Sequence, residues 1–274
     1  MVTVWDDGRP GGTMHSPVLA GSAMAIMWVP VLALTLCQKK KSLTRLGLFC
    51  TAFGMMGILW TQTRGAIITA FLGAMLIGWM LGRRGWLPRW SLMAAAAFIL
   101  LALYPLFLVI VGRVAHGDGG SASARAHLAL IAIDTIREAP FFGHGSGNCH
   151  LACENNANQA AFRSEWYYTV HCKYLLVWIE TGLFGLLAFM AILGNGIRHG
   201  LSAWRNQSSP VLATLGLGFT AALLGHMTHL LVDVFNSRTQ VQLLWVLLGI
   251  TAAIYRISHQ SSADRRLGGV NYGR

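Results

Sequence analysis

The chain has 274 residues, of which 54% are hydrophobic and only 11% are charged, and its formal net charge is +11. With a mean hydropathy of +0.52, it has too little polar surface to cover a water-soluble globule of that length. A soluble protein is therefore excluded, and lipid must take the place of water around much of the chain.

Seven apolar runs have roughly the length that crosses a hydrocarbon core of about 30 Å as a helix. They are Pro17–Cys37, 46–62, 66–81, 91–112, 174–194, 210–231 and 239–255. Backbone groups in lipid must be satisfied within their own segment, and no run shows the alternation of a barrel strand, so helices are predicted. We therefore expect an all-α polytopic membrane bundle of about seven transmembrane helices. The membrane domain would cover 1–260, followed by a disordered cytoplasmic tail at 261–274.

The distribution of charge favours one orientation. If the amino terminus lies outside, the cytoplasmic segments hold thirteen of the 21 basic residues and only Asp264 of the 10 acidic ones. The inner face then carries about +12 and the outer face about −1, in agreement with the positive-inside rule. The basic excess is thus a topology signal, and nucleic acid is not expected as a partner. Acidic Asp6 and Asp7 before the first run also argue against a cleavable signal peptide.

The segment 113–173 separates the fourth and fifth runs and is far longer than the connections between most packed helices. Within it we predict a helix at 123–138, ended by Pro140. Its apolar stripe and its polar face are typical of a helix on a membrane surface. The stripe consists of Leu128, Ile131, Ala132 and Ile136, and the polar face of Arg125, Asp134 and Glu138. A flexible glycine loop at 143–147, a polar segment at 154–159 and an interfacial aromatic cluster at 166–168 should follow.

The sequence contains only weak evidence for a metal site or a disulfide. Cys149 and Cys153 could form a disulfide in an oxidising compartment, but unpaired thiols are the favoured state. The cluster of His144, Cys149, His150 and Cys153 matches no common zinc spacing. A second group contains His226, His229 and Asp233, and helix packing explains it better than a metal does. We therefore expect neither a metal nor a cofactor.

Ionisable residues are nearly absent from the predicted spans, whereas ion-coupled transporters usually place such residues near the midplane. Arg9, Arg64, Arg125 and His171 would instead all lie at the outer face. Arginine forks fit phosphate oxygens, and histidine can act as a general base near neutral pH. The simpler alternative for each arginine is that its side chain only reaches to lipid headgroups.

Four segments resemble the O-antigen ligase and polymerase superfamily of bacterial envelope glycan assembly. They are RPGGTMHSPVLA from Arg9, TRGA from Thr63, the stretch 125–147 that ends in APFFGHGSG, and HCKYLLVWIETGLFG from His171. The fourth segment is the most specific. Its matching residues are His171, Tyr174, Leu175, Glu180, Gly182, Leu183 and Gly185. Val18 and Cys172 stand where the family usually has asparagine.

This resemblance implies a metal-independent, inverting glycosyltransferase that uses an undecaprenyl-pyrophosphate-linked glycan as donor. His171 would be the catalytic base, and Arg64, with Arg9 and Arg125, would hold the pyrophosphate. Tyr174 and Glu180 would belong to the substrate-binding region, Glu180 in a structural or indirect role. The acceptor would be a glycan, a lipid A core or a protein, in lipopolysaccharide, O-antigen or exopolysaccharide assembly. The active face would be the periplasmic side of the inner membrane, among membrane lipids.

Two other functions stay open from the sequence. One is a transporter for a small solute or a lipid-linked sugar, which the near absence of charge inside the spans disfavours. The other is a non-catalytic fragment, because the resemblance starts at the beginning of this chain and the family's amino-terminal helices are missing from it.

Overall fold

The computed structural model describes residues 3–4, 10–12, 14, 16–86, 121–159, 169–206, 209–235 and 237–268. These residues form helices α1 to α8 and one short antiparallel ribbon of β1 (Thr3–Val4) and β2 (Pro10–Gly12). The helices are α1 Pro17–Cys37, α2 Lys41–Trp60, α3 Arg64–Arg83, α4 Ser121–Glu138, α5 Cys149–Gln159, α6 Lys173–Arg205, α7 Pro210–His229 and α8 Arg238–Gly268. Arg9, the predicted fourth span and the aromatic cluster at 166–168 lie outside the described residues.

The predicted membrane fold is confirmed in the described part of the chain. Six of its helices, all except α4 and α5, are long and apolar enough to cross a membrane. They coincide with the first, second, third, fifth, sixth and seventh predicted spans. Helix α8 continues to Gly268, so helical backbone extends into the segment where we expected a disordered tail.

The chain divides into two compact units. Unit 1 comprises Met1–Ala97, Leu193–His229 and Ser237–Arg274, and unit 2 comprises Phe98–Ile192 and Leu230–Asn236.

In unit 1, α1 packs against α2, α3 and α7. Small residues allow these helix backbones to approach closely, as is usual in membrane bundles. A Cβ at Gly218 of α7 would lie 2.7 Å from the Cα of Pro30 in α1. The Thr69 hydroxyl of α3 also donates a hydrogen bond to the Gly225 carbonyl of α7, at 3.0 Å. Close backbone contact therefore joins α7 to α1 and to α3.

The ends of α3, α6 and α8 that carry basic residues lie together at one end of unit 1. Arg84, which follows α3, donates a hydrogen bond to the Trp204 carbonyl near the end of α6. The Asn206 amide, just beyond α6, donates to the Ser258 carbonyl of α8 at 2.7 Å. This arrangement agrees with the alternation of helix directions expected from the charge pattern, and we call it the basic end.

Unit 2 packs α4 and α5 against the first turns of α6 around a small apolar core. Its buried members are Ala132, Ile136, Cys149, Val170, Leu176 and Ile179. All four residues of the predicted α4 stripe are buried, and the three residues of its polar face are exposed. The predicted helix and its apolar stripe are therefore confirmed.

Helix α5 was missed by the sequence analysis, which expected a polar segment there. Cys149 is buried, while Ala152 and Cys153 pack against the same core. These positions follow the spacing of one helix face. Small apolar residues, rather than a conventional leucine stripe, thus give α5 its buried side.

Helix α6 is not straight, which corrects the continuous fifth span that we predicted. Gly182 interrupts it with φ 68° and ψ −172°. The rings of Tyr174 and Phe189 lie 6.1 Å apart, although their positions on a straight helix would be separated by about 22 Å. The helix therefore bends sharply at Gly182. Its second part, residues 183–205, is alone about 34 Å long at 1.5 Å per residue, enough to cross a membrane.

Candidate functional site

The loop 140–145 caps the break in α6. The His144 and Gly145 amides donate hydrogen bonds to the carbonyls of Ile179 and Glu180, at 2.8 and 2.9 Å. In the opposite sense, the Pro140 carbonyl accepts hydrogen bonds from the Leu183 amide at 2.8 Å and the Trp178 indole at 2.9 Å. Broken helices expose backbone groups that need partners, and this loop supplies them. We expected a flexible glycine loop, but its backbone is held in place.

Two glycines make this junction possible. Gly143 and Gly182 both have left-handed φ angles, of 69° and 68°, a region that non-glycine residues rarely adopt. A Cβ on Gly182 would overlap the Phe141 carbonyl, and a Cβ on Gly143 would overlap the backbone between Glu180 and Gly182. The third and fourth motif segments of the sequence are therefore two sides of one backbone junction.

His171 lies two residues before α6, beside the segment 230–236. It follows Val170, which is buried in the core of unit 2, and it precedes Cys172, which packs against that core. The Lys173 amide then donates a hydrogen bond to the Leu230 carbonyl, at 2.8 Å. The backbone on both sides of His171 is thus fastened, while its own side chain is partly exposed.

Charged residues from two other segments act on the His171 imidazole. Burial is the main reason why its pKa is lowered from the usual value, and the positive charge of Arg125 lowers it further. Asp233 and the Thr169 backbone act in the opposite direction. The Nδ1 atom is buried and has no hydrogen-bond partner among the described residues. A neutral imidazole near pH 7 can accept a proton, as a general base must.

Asp233 is the residue of this group that the sequence analysis did not assign to the site. The sequence groups it with two histidines of α7, for which helix packing is favoured over metal binding. Its carboxylate accepts a hydrogen bond from the Val234 amide at 2.7 Å, and Val234 packs against the core of unit 2. An acidic residue directly after a predicted span was the available signal, but its proximity to His171 depends on the tertiary fold.

Tyr174 and Glu180 are both in the first part of α6. The Tyr174 ring is partly buried and contacts Phe189. Glu180 is close enough to Cys149 and Lys173 to interact with both electrostatically. The helix is continuous from Lys173 to Thr181, and its break follows Glu180. The break that would let Glu180 orient His171 directly is therefore absent from this stretch.

Arg64 belongs to unit 1, where it begins α3. The preceding turn has Gln62 at φ 50°, and the Thr63 hydroxyl donates a hydrogen bond to the Pro17 carbonyl at 2.9 Å. This bond joins the first and second motif segments of the sequence. A Cβ on Gly65 would overlap the His229 ring, so the glycine after Arg64 lets α7 approach the start of α3.

Members of the two candidate metal clusters contact other groups of the protein. His226 and His229 are buried, and their ring centroids lie 6.2 Å apart. Within the described residues, no group of three or more His, Cys, Asp or Glu side chains has a geometry suited to a metal ion. His144 contacts the Thr135 carbonyl, and the Thr135 hydroxyl donates to the Cys153 sulfur at 3.7 Å.

Cys149 and Cys153 are free thiols that act on each other. The Cys149 thiol donates to the Cys153 sulfur, which raises the pKa of Cys149. The same hydrogen bond, helped by Thr135 and the nearby charge of His144, lowers the pKa of Cys153 to about 7. Cys153 is therefore the more acidic thiol of the pair.

Comparison with known proteins identifies the family. The O-antigen ligase family model matches residues 46–190, which is more than half of the chain. This range includes Arg64, Arg125, His171, Tyr174 and Glu180. No curated protein matches the sequence. The chain belongs to the O-antigen ligase family, and it is a bacterial membrane glycosyltransferase of the O-antigen ligase or polymerase type that acts on a lipid-linked glycan and an acceptor.

Proposed function

We propose that the protein transfers a glycan from an undecaprenyl-pyrophosphate donor to a hydroxyl group of a sugar or lipid-core acceptor, in one inverting and metal-independent step. The observation that carries this proposal is the setting of His171. Its imidazole is kept neutral by burial and by Arg125, in the motif that the family match includes. A neutral imidazole flanked by a guanidinium suits a reaction in which an alcohol loses a proton beside a diphosphate.

In the proposed reaction, the acceptor oxygen attacks the anomeric carbon while its proton passes to His171. The bond from that carbon to the pyrophosphate oxygen breaks at the same time, so a single displacement inverts the anomeric configuration. Negative charge then grows on the leaving pyrophosphate. Arg64, Arg125 and Arg9 stabilise this charge through guanidinium forks that match phosphate oxygens. A permanently charged arginine can do this without a divalent cation.

The remaining site residues have supporting roles in this proposal. Tyr174 contributes an aromatic surface to the substrate-binding region. Glu180 acts indirectly, because its backbone carbonyl holds Gly145 and its carboxylate interacts with Lys173. The active face is the periplasmic side of the inner membrane, opposite the basic end of unit 1, as the positive-inside rule predicts.

The test of the reaction uses the purified full-length chain, a donor of known anomeric configuration and several acceptors. Transfer should occur in EDTA, and the product linkage should have the opposite configuration by NMR. Retention of configuration, or activity that EDTA abolishes and Mg²⁺ restores, would refute the proposed chemistry. A transporter would instead move the lipid-linked glycan across vesicle membranes without forming a glycosidic bond.

A further inference from the structure

A cavity of about 650 Å³ opens at the basic end of unit 1. Most of its lining residues are apolar. Leu34 and Leu36 come from the end of α1, Val211 and Thr214 from the start of α7, and Trp86 follows α3. This volume is within the range of about 300 to 1,000 Å³ that is typical of small-molecule sites. Nothing in the proposed glycosyl transfer uses this end of the protein.

The position of the Trp86 ring is set by its neighbours. Trp86 and Trp204 are in edge contact, with centroids 5.4 Å apart. The Arg84 guanidinium stacks on Trp204 at 3.5 Å from the ring centroid and also binds the Trp204 carbonyl. Stacking of this kind holds aromatic side chains in place. Trp86 is nevertheless 40% exposed, so one face of the ring is available at the mouth of the cavity.

Lys39 lines the rim of the same cavity, in the short connection between α1 and α2. This connection is ordered by the Gln38 side chain, whose oxygen accepts hydrogen bonds from the Lys39 and Lys40 amides at 3.0 and 3.2 Å. The Thr44 hydroxyl donates to the carbonyls of Gln38 and Lys40. The backbone below the lysine side chains is therefore fixed, while Lys39 and Lys40 themselves are exposed.

Exposed cations outnumber acidic residues at this end. The exposed cations include Lys39, Lys40, Lys41, Arg45 and Arg83. The sequence contains no Asp or Glu at 10–86, at 193–229 or at 237–260. Asp264 is the acidic residue that the predicted topology places on this side, so a further anion at the rim would reduce the excess positive charge. In a membrane, the nearest abundant anion is a lipid phosphate, and basic pockets between transmembrane helices bind anionic headgroups.

We propose that this cavity binds one anionic phospholipid, with an acyl chain between α1 and α7 and its phosphate at Lys39 and Lys40. The apolar walls suit the chain, Trp86 lies at the depth of the interface, and the lysines suit the charged headgroup. The lipid comes from the leaflet at the basic end. This site is separate from the glycosyl-transfer chemistry, so the two proposals can fail independently.

Native mass spectrometry of the full-length protein in detergent tests the proposal, with phosphatidylglycerol, phosphatidylcholine and inorganic phosphate as separate probes. Phosphatidylglycerol should form a one-to-one complex that persists in excess phosphatidylcholine. The Lys39→Gln/Lys40→Gln double variant should bind it about tenfold more weakly or worse, since each lysine near a lipid surface contributes about 1 kcal/mol. Val211→Trp should also weaken binding, by filling the cavity.

Arg256→Gln is the matched control, because Arg256 is an exposed cation near the end of α8 that does not line the cavity. This variant should bind phosphatidylglycerol like the wild type. Equal binding of the two lipids, competition by inorganic phosphate alone, or equal losses in the lysine and Arg256 variants would overturn the proposal. Thermal unfolding of each variant identifies misfolded protein. Lys39→Arg keeps the positive charge at the rim and should bind phosphatidylglycerol like the wild type.

Discussion

The protonation state of His171 depends on two charged residues that are distant from it in sequence. Arg125 comes from α4 and Asp233 from the segment after α7, and their charges act on the imidazole in opposite directions. Burial and Arg125 together outweigh Asp233, so the pKa is lowered. A base with a lowered pKa stays neutral to a lower pH than a free histidine does.

The first prediction concerns the pH dependence of transfer. Arg125→Gln removes a positive charge that lowers the His171 pKa, so this pKa should rise. The acid limb of the activity profile should therefore move to higher pH. Asp233→Asn removes a charge that raises this pKa, and the acid limb should move to lower pH. The measurement is kcat/KM against pH for the three proteins. Shifts in the same direction for both variants would contradict the proposed electrostatics.

A second prediction at the residue scale concerns the thiols of α5. Because the pKa of Cys153 is lowered to about 7, alkylation by iodoacetamide should increase through neutral pH at this cysteine. Cys149 should react only at much higher pH, since its pKa is raised. Thr135→Val, which removes a hydrogen-bond donor, should move the Cys153 profile to higher pH. Peptide mass spectrometry measures both sites, and preferential labelling of Cys149 would contradict this assignment.

At the scale of elements, the break in α6 gives the third prediction. Gly182→Ala places a Cβ at positive φ against the Phe141 carbonyl, and strain of this kind costs about 1 to 3 kcal/mol. The variant should unfold at a lower temperature and lose transfer activity. Gly194→Ala is the control, because a Cβ there meets nothing within 4 Å, and it should be neutral or slightly stabilising. Equal effects of the two substitutions would argue against the junction.

The contact between α3 and α7 gives the fourth prediction. Gly65→Ala should destabilise the protein by about 1 to 3 kcal/mol, the usual effect of overpacking, because the new methyl group overlaps the His229 ring. In a His229→Ala background the same substitution should cost much less. Thermal unfolding of the four proteins gives the coupling energy. Additive effects would show that the two side chains do not compete for space.

The main helices were predictable because their signals are local. Apolar length gave the six described spans, and the stripe of α4 came from periodicity in one stretch of sequence. The break at Gly182 was not predictable, since glycine is common inside transmembrane helices and only the 140–145 loop completes the junction. Helix α5 was missed because its buried face consists of Cys149, Ala152 and Cys153, which resemble a polar segment in composition.

At the scale of the whole molecule, the charge distribution predicted which helix ends would lie on the same side of the membrane. The helix ends that carry most of the basic residues described in unit 1 meet at one end, as the predicted alternation requires. Arg64 begins α3 at the other end of that helix. Motif resemblance supplied His171 and its neighbours. Asp233 could be assigned to the site only from the tertiary structure. It lies in a segment that tertiary contacts, such as that between Lys173 and Leu230, attach to unit 2.

In the proposed reaction, His171 accepts the proton while Arg64 holds the donor. These two roles are tested by measuring donor binding and glycan transfer in the same purified samples of wild type, His171→Ala and Arg64→Ala. His150→Ala and Arg83→Ala are controls, since His150 is an exposed histidine of unit 2 and Arg83 lies at the other end of α3.

We predict that His171→Ala binds the donor like the wild type but transfers at least about 100-fold more slowly, the usual contribution of a general base. Arg64→Ala should lose both binding and transfer, and both controls should keep them. Transfer at the wild-type rate by the His171 or the Arg64 variant would contradict the account.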